Sequence, residues 1–160
     1  MIQLLAYVAS PIIFSPDAEG LYQGLRDRLE ERWNIKLLTP ADSYYPTAEE
    51  IFKANLRLID QSDIVLVDCT PFRGPSADVG TAVELGYAYA KGKPCIGFHK
   101  PSTSYAQRVK IGNELVMTDE RGWLIENFNL FDNLMIAQAL TPQHEVEDVL
   151  MQLRTSKSAT

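Results

Sequence analysis

The feature that most constrains the fold is a set of short, unbroken apolar segments that alternate with segments of helical periodicity. The apolar segments are IQLLAYVA at residues 2–9, IKLL at 35–38, DIVLVDC at 63–69 and PCIGFH at 94–99. Strands that are apolar on both faces are typical of a parallel sheet covered by helices on both sides. The alternation therefore predicts a doubly wound α/β domain, flavodoxin- or Rossmann-like, with a five-stranded parallel sheet flanked by helices.

The segments between these strands have the spacing of amphipathic helices. Leucines recur at helical intervals within residues 18–33, and charged residues lie on the opposite face. Residues 47–62 begin with Thr47, a favoured N-cap, and carry two glutamates in the first turn, where the helix dipole stabilises negative charge. Residues 78–91 and 145–154 predict two further helices.

The length of the chain, 160 residues, is that of one domain with its own core, and 46% of the residues are hydrophobic. We expect this domain to span residues 1–153 and residues 154–160 to form a flexible tail. The connection from residue 100 to about residue 131 is expected to be irregular. The apolar N-terminus has no basic leading region, so a buried first strand is preferred over a signal peptide.

Charge and cysteine content narrow the function classes. A formal charge of −6 and a pI near 4.9, without clustered lysines and arginines, argue against nucleic acid or an anionic membrane as a partner. Cys69 and Cys95 lie in apolar segments, where a free cysteine usually packs as a small hydrophobic residue. His99 and His144 have no acid or cysteine at ligand spacing. We therefore expect no metal site and a reducing, cytoplasmic location.

The carboxyl ends of the predicted strands bring several polar side chains together. In a doubly wound sheet ligands bind at this edge, where Tyr7 and the start of the 78–91 helix are expected to meet. Asp78 stands at the helix entrance, where a carboxylate caps the first turn. Glu84 lies in mid-helix and leans over Gly80, whose missing side chain leaves room for a substrate. Two carboxylates beside a small ligand are the groups that glycosyl transfer uses.

A purely structural interpretation of these acids is also open. Asp78 can serve only as the N-cap, and Glu84 can be a solvated residue on a face that it shares with Lys91. The RGPS loop before Asp78 has no glycine-rich phosphate pattern of P-loop or dinucleotide type. Arg73 in that loop could contact a ligand, but an arginine in a Gly/Pro loop is more often solvated or bonded to nearby carbonyls, and we leave it out of the predicted site.

Three stretches of the chain carry a resemblance to a known family. They are LLAYVASPIIFSP near the start, NLRLIDQSDIVLVD, and FRGPSADVGTAVELGYAYAKGKP at residues 72–94, whose core is D-x-G-T-x-x-E-x-G-Y. Together they resemble the nucleoside 2-deoxyribosyltransferase family. The resemblance implies a nucleoside-salvage enzyme that moves 2-deoxyribose between purine or pyrimidine bases, with retention at the anomeric carbon and no cofactor. Its substrates would be deoxynucleosides and free nucleobases.

The resemblance also implies roles for individual residues. Glu84 matches the family's nucleophile, and Tyr7 matches the tyrosine whose hydroxyl orients that glutamate. Asp78 matches the acid that contacts the nucleobase and assists its protonation. Phe14 falls where members wall the base pocket with an aromatic ring.

A neighbouring subunit completes the site in this family, whose members are dimers assembled into hexamers. An asparagine of the neighbour reaches the sugar 5′-hydroxyl, and the stretch DNLMI suggests Asn133 for this role, with Met135 beside it. Asn55 stands where some members carry an aspartate of the base site. Its amide either alters the base preference, leaves that contact to another residue, or bonds the helix backbone.

Two other functions compete with deoxyribosyl transfer. Nucleotide N-glycosidases of the same fold hydrolyse nucleoside 5′-monophosphates and hold the phosphate with glycines, serines and an arginine after the first strand. Here that loop is SPIIFSP, which has no basic residue, so a free 5′-hydroxyl is expected. The other candidate is a non-catalytic nucleoside-binding domain.

Overall fold

A four-stranded parallel sheet forms the centre of the fold. The computed structural model describes residues 2–109 and 111–158. The sheet contains strands β1 to β4, which are Leu4–Ala9, Ile35–Leu38, Ile64–Asp68 and Cys95–Phe98, in the order β2-β1-β3-β4. The most central strand pairs are held in parallel register, for example Tyr7 opposite Val65. The predicted doubly wound α/β architecture is confirmed.

Helices cover both faces of this sheet. They are α1 (Ala18–Trp33), α2 (Ala48–Gln61), α3 (Val79–Ala90), α4 (Tyr105–Arg108), α5 (Leu134–Gln138) and α6 (Val146–Ser158). Strand β1 divides its side chains between the faces, as a strand must. Leu4, Ala6 and Val8 pack with α1 and α6, whereas Tyr7 and Ala9 pack with α2, α3 and α5. Within the described residues, no helix is long and apolar enough to cross a membrane.

The prediction of five parallel strands is wrong, because the described residues form four. The connection after β4 holds the short helix α4 and a separate antiparallel hairpin of strands β5 (Ile111–Asn113) and β6 (Thr118–Asp119). The residues of β5 are exposed, so they cannot extend a buried sheet. At the free edge of β4, the Thr141 amide donates to the Cys95 carbonyl at 2.7 Å, and the Cys95 amide donates to Thr141 Oγ1 at 3.2 Å. A coil segment therefore satisfies Cys95 at this edge of β4.

The C-terminal helix α6 is longer than predicted. Residues 154–158, expected at the start of a flexible tail, continue the helix to Ser158. Arg154 donates a hydrogen bond to the Trp33 carbonyl, and Lys157 Nζ lies 2.6 Å from Asp63 Oδ2. These contacts attach the last turns of α6 to the domain. The last two tail positions, 159 and 160, lie outside the described residues.

The predicted start of α2 is confirmed in detail. Thr47 accepts a hydrogen bond from the Glu50 amide at 3.2 Å, and the Glu50 carboxylate accepts from the Thr47 amide at 3.1 Å. This reciprocal capping box satisfies two amides that the first turn leaves without helical partners. The capping box therefore fixes the beginning of α2, the helix on which Asn55 lies.

Candidate active site

A carboxyl group on α3 lies between two hydrogen-bond donors from other elements. Tyr7 of β1 donates from its hydroxyl to Glu84 Oε1 at 2.7 Å. Asn55 of α2 donates from Nδ2 to the same oxygen at 3.1 Å. Among the described residues, Glu84 Oε2 has no hydrogen-bond partner. The carboxyl is thus held by one oxygen, and the other is available to a ligand.

This arrangement excludes the structural interpretation of Glu84 as a solvated residue beside Lys91. Lys91 instead pairs with Asp60, whose Oδ1 lies 3.1 Å from Lys91 Nζ. Asn55, for which a backbone contact was one expectation, bonds the Glu84 carboxyl.

Burial and hydrogen bonding act on Glu84 in opposite directions. Desolvation in the sheet–helix interface is the largest effect and favours the neutral acid, with a smaller contribution from the negative charge of Asp78. The hydrogen bonds from Tyr7 and Asn55 stabilise the carboxylate and lower the pKa. The net result raises the pKa of Glu84 from 4.5 to about 7. Burial, together with the Glu84 charge, also raises the pKa of Tyr7, so its hydroxyl keeps its proton and acts as a donor.

Asp78 caps the helix that carries Glu84. Its Oδ2 accepts a hydrogen bond from the Thr81 amide at 3.1 Å, which confirms the predicted N-cap. Among the described residues, Oδ1 accepts no hydrogen bond. A Cβ added to Gly80 would lie 2.9 Å from Asp78 Oδ2, so the carboxylate occupies the space that the missing side chain leaves. The space at Gly80, which was expected to be left for a substrate, is therefore taken up by the Asp78 side chain.

A fully buried aspartate fixes the loop that precedes Asp78. Asp132 accepts hydrogen bonds from the Ser76 hydroxyl and, at 2.9 Å, from the Ala77 amide. Its Oδ1 also accepts from the Asn133 amide at 2.7 Å. Arg108 supports the same junction, because it donates to the carbonyls of Pro75 and Phe131. Sequence reasoning missed both residues. Asp132 opens the DNLMI stretch but was given no role, and Arg108 lies in the segment that was expected to be irregular.

Phe14 lies at the carboxyl edge of the sheet on a short 3₁₀ helix, Pro11–Phe14, that follows β1. Its side chain is 58% exposed and stacks on Phe72, with ring centres 5.7 Å apart and an interplanar angle of 12°. The role of Phe14 as a wall of the base pocket stays a prediction. Phe72 was not among the predicted site residues, although it begins the FRGPS stretch.

Asn133 and Met135 do not join Glu84 within the subunit. Asn133 caps α5, accepting from the Met135 amide at 3.0 Å and donating to Glu126 Oε2 at 3.1 Å. Both residues line an apolar groove of about 670 Å³ between α3 and α5. The α3 residues of this groove include Val79 and Gly86, which lie on the face of the helix roughly opposite Glu84. This groove is therefore on the side of α3 that faces away from the candidate nucleophile.

Tyr22 of α1 is a further polar residue close to the site. The side chain is fully buried, and its hydroxyl has no hydrogen-bond partner among the described residues. Burial is the largest effect and, together with the charges of Glu84 and Asp42, raises the pKa of Tyr22 to about 12, against a smaller opposing effect of the Arg26 charge. The sequence places Tyr22 among the residues of an amphipathic helix and gives no signal for this proximity.

The cysteines and histidines lie outside this constellation. Burial raises the pKa of the Cys69 thiol to about 12 and that of Cys95 to about 11, so both remain protonated thiols at neutral pH. His99 Nδ1 lies 3.5 Å from Asp68 Oδ1, and His144 is exposed beside Glu145. Over residues 2–109 and 111–158, no group of three or more acids, histidines or cysteines has metal-binding geometry.

The chain matches one protein family and one curated protein. The sequence profile described as nucleoside 2-deoxyribosyltransferase matches residues 6–135, a span that includes all the residues discussed above as site candidates. An uncharacterized protein of Schizosaccharomyces pombe is 32% identical over an alignment of 114 residues, with coverage of 65% of this chain and 54% of that protein. The chain thus spans about half the length of this curated relative.

Two solved structures share the fold. A 2-deoxyribosyltransferase from Leishmania mexicana is 31% identical, with a TM-score of 0.74 and coverage of 93% of this chain and 95% of the other. A conserved protein from Enterococcus faecalis is 22% identical, with a TM-score of 0.57 and coverage of 97% and 99%. The second likeness concerns the fold alone.

The raised pKa of Glu84 predicts a specific pH dependence of stability. The folded state keeps this proton up to about pH 7, whereas an unfolded glutamate releases it near 4.5, so the contribution of Glu84 to the free energy of unfolding falls as the pH rises between these values. Glu84→Gln removes this loss. Relative to the wild type, we expect the variant to gain on the order of 1–3 kcal/mol between pH 4 and pH 8.

Urea unfolding at a series of pH values measures this difference. Glu147→Gln on the exposed surface of α6 is the matched control and should show no such trend. A stability difference between the Glu84 variant and the wild type that stays constant from pH 4 to pH 8 would contradict the raised pKa.

Proposed function

Because the chain belongs to the nucleoside 2-deoxyribosyltransferase family, we propose that it moves 2-deoxyribose between nucleobases through a covalent intermediate on Glu84. The donor is a 2′-deoxynucleoside with a free 5′-hydroxyl, and the acceptor is a free purine or pyrimidine base. The likeness to the Leishmania mexicana 2-deoxyribosyltransferase over nearly the whole chain supports this assignment.

The observation that carries the proposal is the state of the Glu84 carboxyl. A nucleophilic carboxylate must be fixed in position, available at one oxygen, and easily desolvated. Tyr7 and Asn55 hold Oε1, which leaves Oε2 to react. A pKa of about 7 means that a substantial fraction of Glu84 is ionised at neutral pH, and burial means that little water must be removed before attack.

In the first half-reaction, Glu84 Oε2 bonds to the anomeric carbon as the bond from that carbon to the base nitrogen breaks. The electron pair of the broken bond goes to the base, and Asp78 assists protonation of the base. The oxygen Asp78 Oδ1 is suited to this contact, because the helix cap uses only Oδ2. The products are a glycosyl ester of Glu84 and a free base.

In the second half-reaction, a nitrogen of the incoming base attacks the anomeric carbon and the ester carbon–oxygen bond breaks. The electron pair returns to the Glu84 carboxylate, and the incoming base gives up its proton with the help of Asp78. Each displacement inverts the anomeric centre, so transfer proceeds with net retention. Tyr7 and Asn55 stabilise the carboxylate that departs, since their hydrogen bonds favour its charged form.

We further propose that a second copy of the chain completes the site. Asn133 and Met135 lie away from Glu84 of their own subunit, and Met135 is 73% exposed at the apolar groove between α3 and α5. In a symmetric dimer the same surface is contributed by both subunits, so Asn133 of each can serve the sugar site of the other. A neighbouring segment that brings Asn133 and Met135 over Glu84 would also keep water from the glycosyl ester and favour a base as acceptor.

A transfer assay tests the proposed function. Incubation with deoxyinosine and adenine should yield deoxyadenosine. Glu84→Gln should lower the rate by at least about 1000-fold, because no carboxylate remains to form the ester. Glu147→Gln should retain the wild-type rate. Faster hydrolysis of a deoxynucleoside 5′-monophosphate than transfer to an added base would identify the protein as an N-glycosidase, and no turnover of any nucleoside would favour a binding domain.

Mixing two inactive variants tests the contribution of the second subunit. Glu84→Gln and Asn133→Ala damage different components of a shared site, so a hybrid dimer contains one site with both wild-type residues. Random exchange of subunits should restore activity in about a quarter of the sites. The control mixture of Glu84→Gln with Tyr7→Phe should gain nothing over the Tyr7 variant alone, since both residues belong to one subunit. Full activity of Asn133→Ala by itself would exclude this role.

A further inference from the structure

Arg73 lies in the loop between β3 and α3, five residues before Asp78, and the proposed mechanism does not use it. Its guanidinium carbon lies 4.7 Å from the ring centre of Phe72 and 5.1 Å from that of Phe14. Among residues 2–109 and 111–158, no carboxylate forms an ion pair with this side chain. Although the chain has a formal charge of −6, this exposed guanidinium contacts two aromatic rings and, within the described part of the chain, no carboxylate.

The backbone of Arg73 adds a second observation. Its φ of 56° lies in the left-handed region, which favours glycine and is uncommon for other residues. Such conformations cluster at ligand sites, where the surrounding structure holds them. An arginine at this position carries its side chain to the rings despite an unfavourable backbone conformation.

The two loops that meet through Arg73 are tied together at their base. Ser10, directly after β1, donates from its hydroxyl to Asp68 Oδ2 at 2.8 Å and accepts from the Ile12 amide at 3.1 Å. Asp68 ends β3 and is buried. The loop that carries Phe14 and the loop that carries Arg73 are thus anchored to each other below the aromatic cluster.

We propose that Arg73 is a positioning residue. Its guanidinium holds the Phe14 and Phe72 rings together as a single aromatic wall beside the site of the nucleobase. This inference rests on the proposed function. Without the guanidinium, the exposed Phe14 ring on its four-residue 3₁₀ helix is free to leave the stacked rotamer. A base that binds an already ordered wall avoids the cost of ordering it, so the effect falls on binding and not on the chemical step.

The test is the dependence of the transfer rate on acceptor base at saturating deoxynucleoside. Arg73→Ala should raise the KM for adenine about three- to tenfold, the effect of one or two exposed cation–π contacts, while kcat stays within about twofold of the wild type. Arg73→Gly should do the same. Because glycine suits the left-handed backbone, equal effects of both variants assign the change to the lost side chain. Arg73→Lys keeps a cation and should have a smaller effect.

A matched control removes a cation–π contact elsewhere. The Arg32 guanidinium carbon lies 5.4 Å from the Trp33 ring centre at the end of α1, away from the carboxyl edge of the sheet. Arg32→Ala should leave the KM for adenine unchanged. An unchanged KM in both Arg73→Ala and Arg73→Gly, or a fall in kcat alone, would overturn the proposal.

A binding measurement separates this inference from the proposed function. Calorimetric titration of the protein with adenine does not depend on turnover, and the Arg73→Ala variant should bind adenine about three- to tenfold more weakly than the wild type. Weakened binding in a protein that transfers no sugar would overturn the transferase assignment and keep the role of Arg73. Normal adenine binding in an Arg73→Ala variant that still transfers the sugar would overturn the role of Arg73 and keep the transferase assignment.

Discussion

The candidate site depends on the balance between burial of one carboxyl group and the two hydrogen bonds that it receives. Desolvation alone would keep Glu84 neutral, and a neutral acid is a poor nucleophile. Tyr7 and Asn55 stabilise the charged form enough to bring the pKa to about 7. Each of the three side chains comes from a different element, β1, α2 or α3, so the packing of these elements on one face of the sheet sets the reactivity of the carboxyl.

That packing also explains how the rest of the site is built. Asp78 fixes the first turn of α3 with one oxygen, and Asp132 fixes the loop that leads into it. Asp132 at the same time holds the amide of Asn133, the residue proposed to serve the neighbouring subunit. The buried carboxylate of Asp132 therefore connects the loop that leads to Asp78, in the site of the same subunit, with Asn133, which is proposed to serve the site of the neighbouring subunit.

Most of the fold could be predicted from the sequence, because parallel strands and amphipathic helices leave local patterns. The bounds of α1 and of β2 agree with the predicted segments, and the N-caps Thr47 and Asp78 are confirmed. The strand count and the end of α6 were wrong. In both places the outcome is decided by contacts between distant segments, such as Thr141 with Cys95 and Arg154 with Trp33.

The site was predictable to a smaller degree. A motif identifies Asp78 and Glu84, and the family resemblance adds Tyr7, but no local pattern shows that Asn55 reaches a carboxyl 29 residues away. Arg73 and Phe72 gave no usable signal for a similar reason, because the Phe14 ring that both contact lies in a different loop. No local pattern places Tyr22 near the charge of Glu84 either. Asn133 was predicted to act in a second subunit, and that role stays a prediction.

The central claim is that the Glu84 carboxyl becomes esterified to the deoxysugar during turnover. Mass spectrometry of protein incubated with a 2-fluorinated deoxynucleoside analogue, quenched and digested, locates the trapped sugar. The account predicts a glycosyl adduct on the peptide that contains Glu84, with the label assigned to that residue. A label on another residue, or transfer product with inverted configuration at the anomeric carbon, would contradict it.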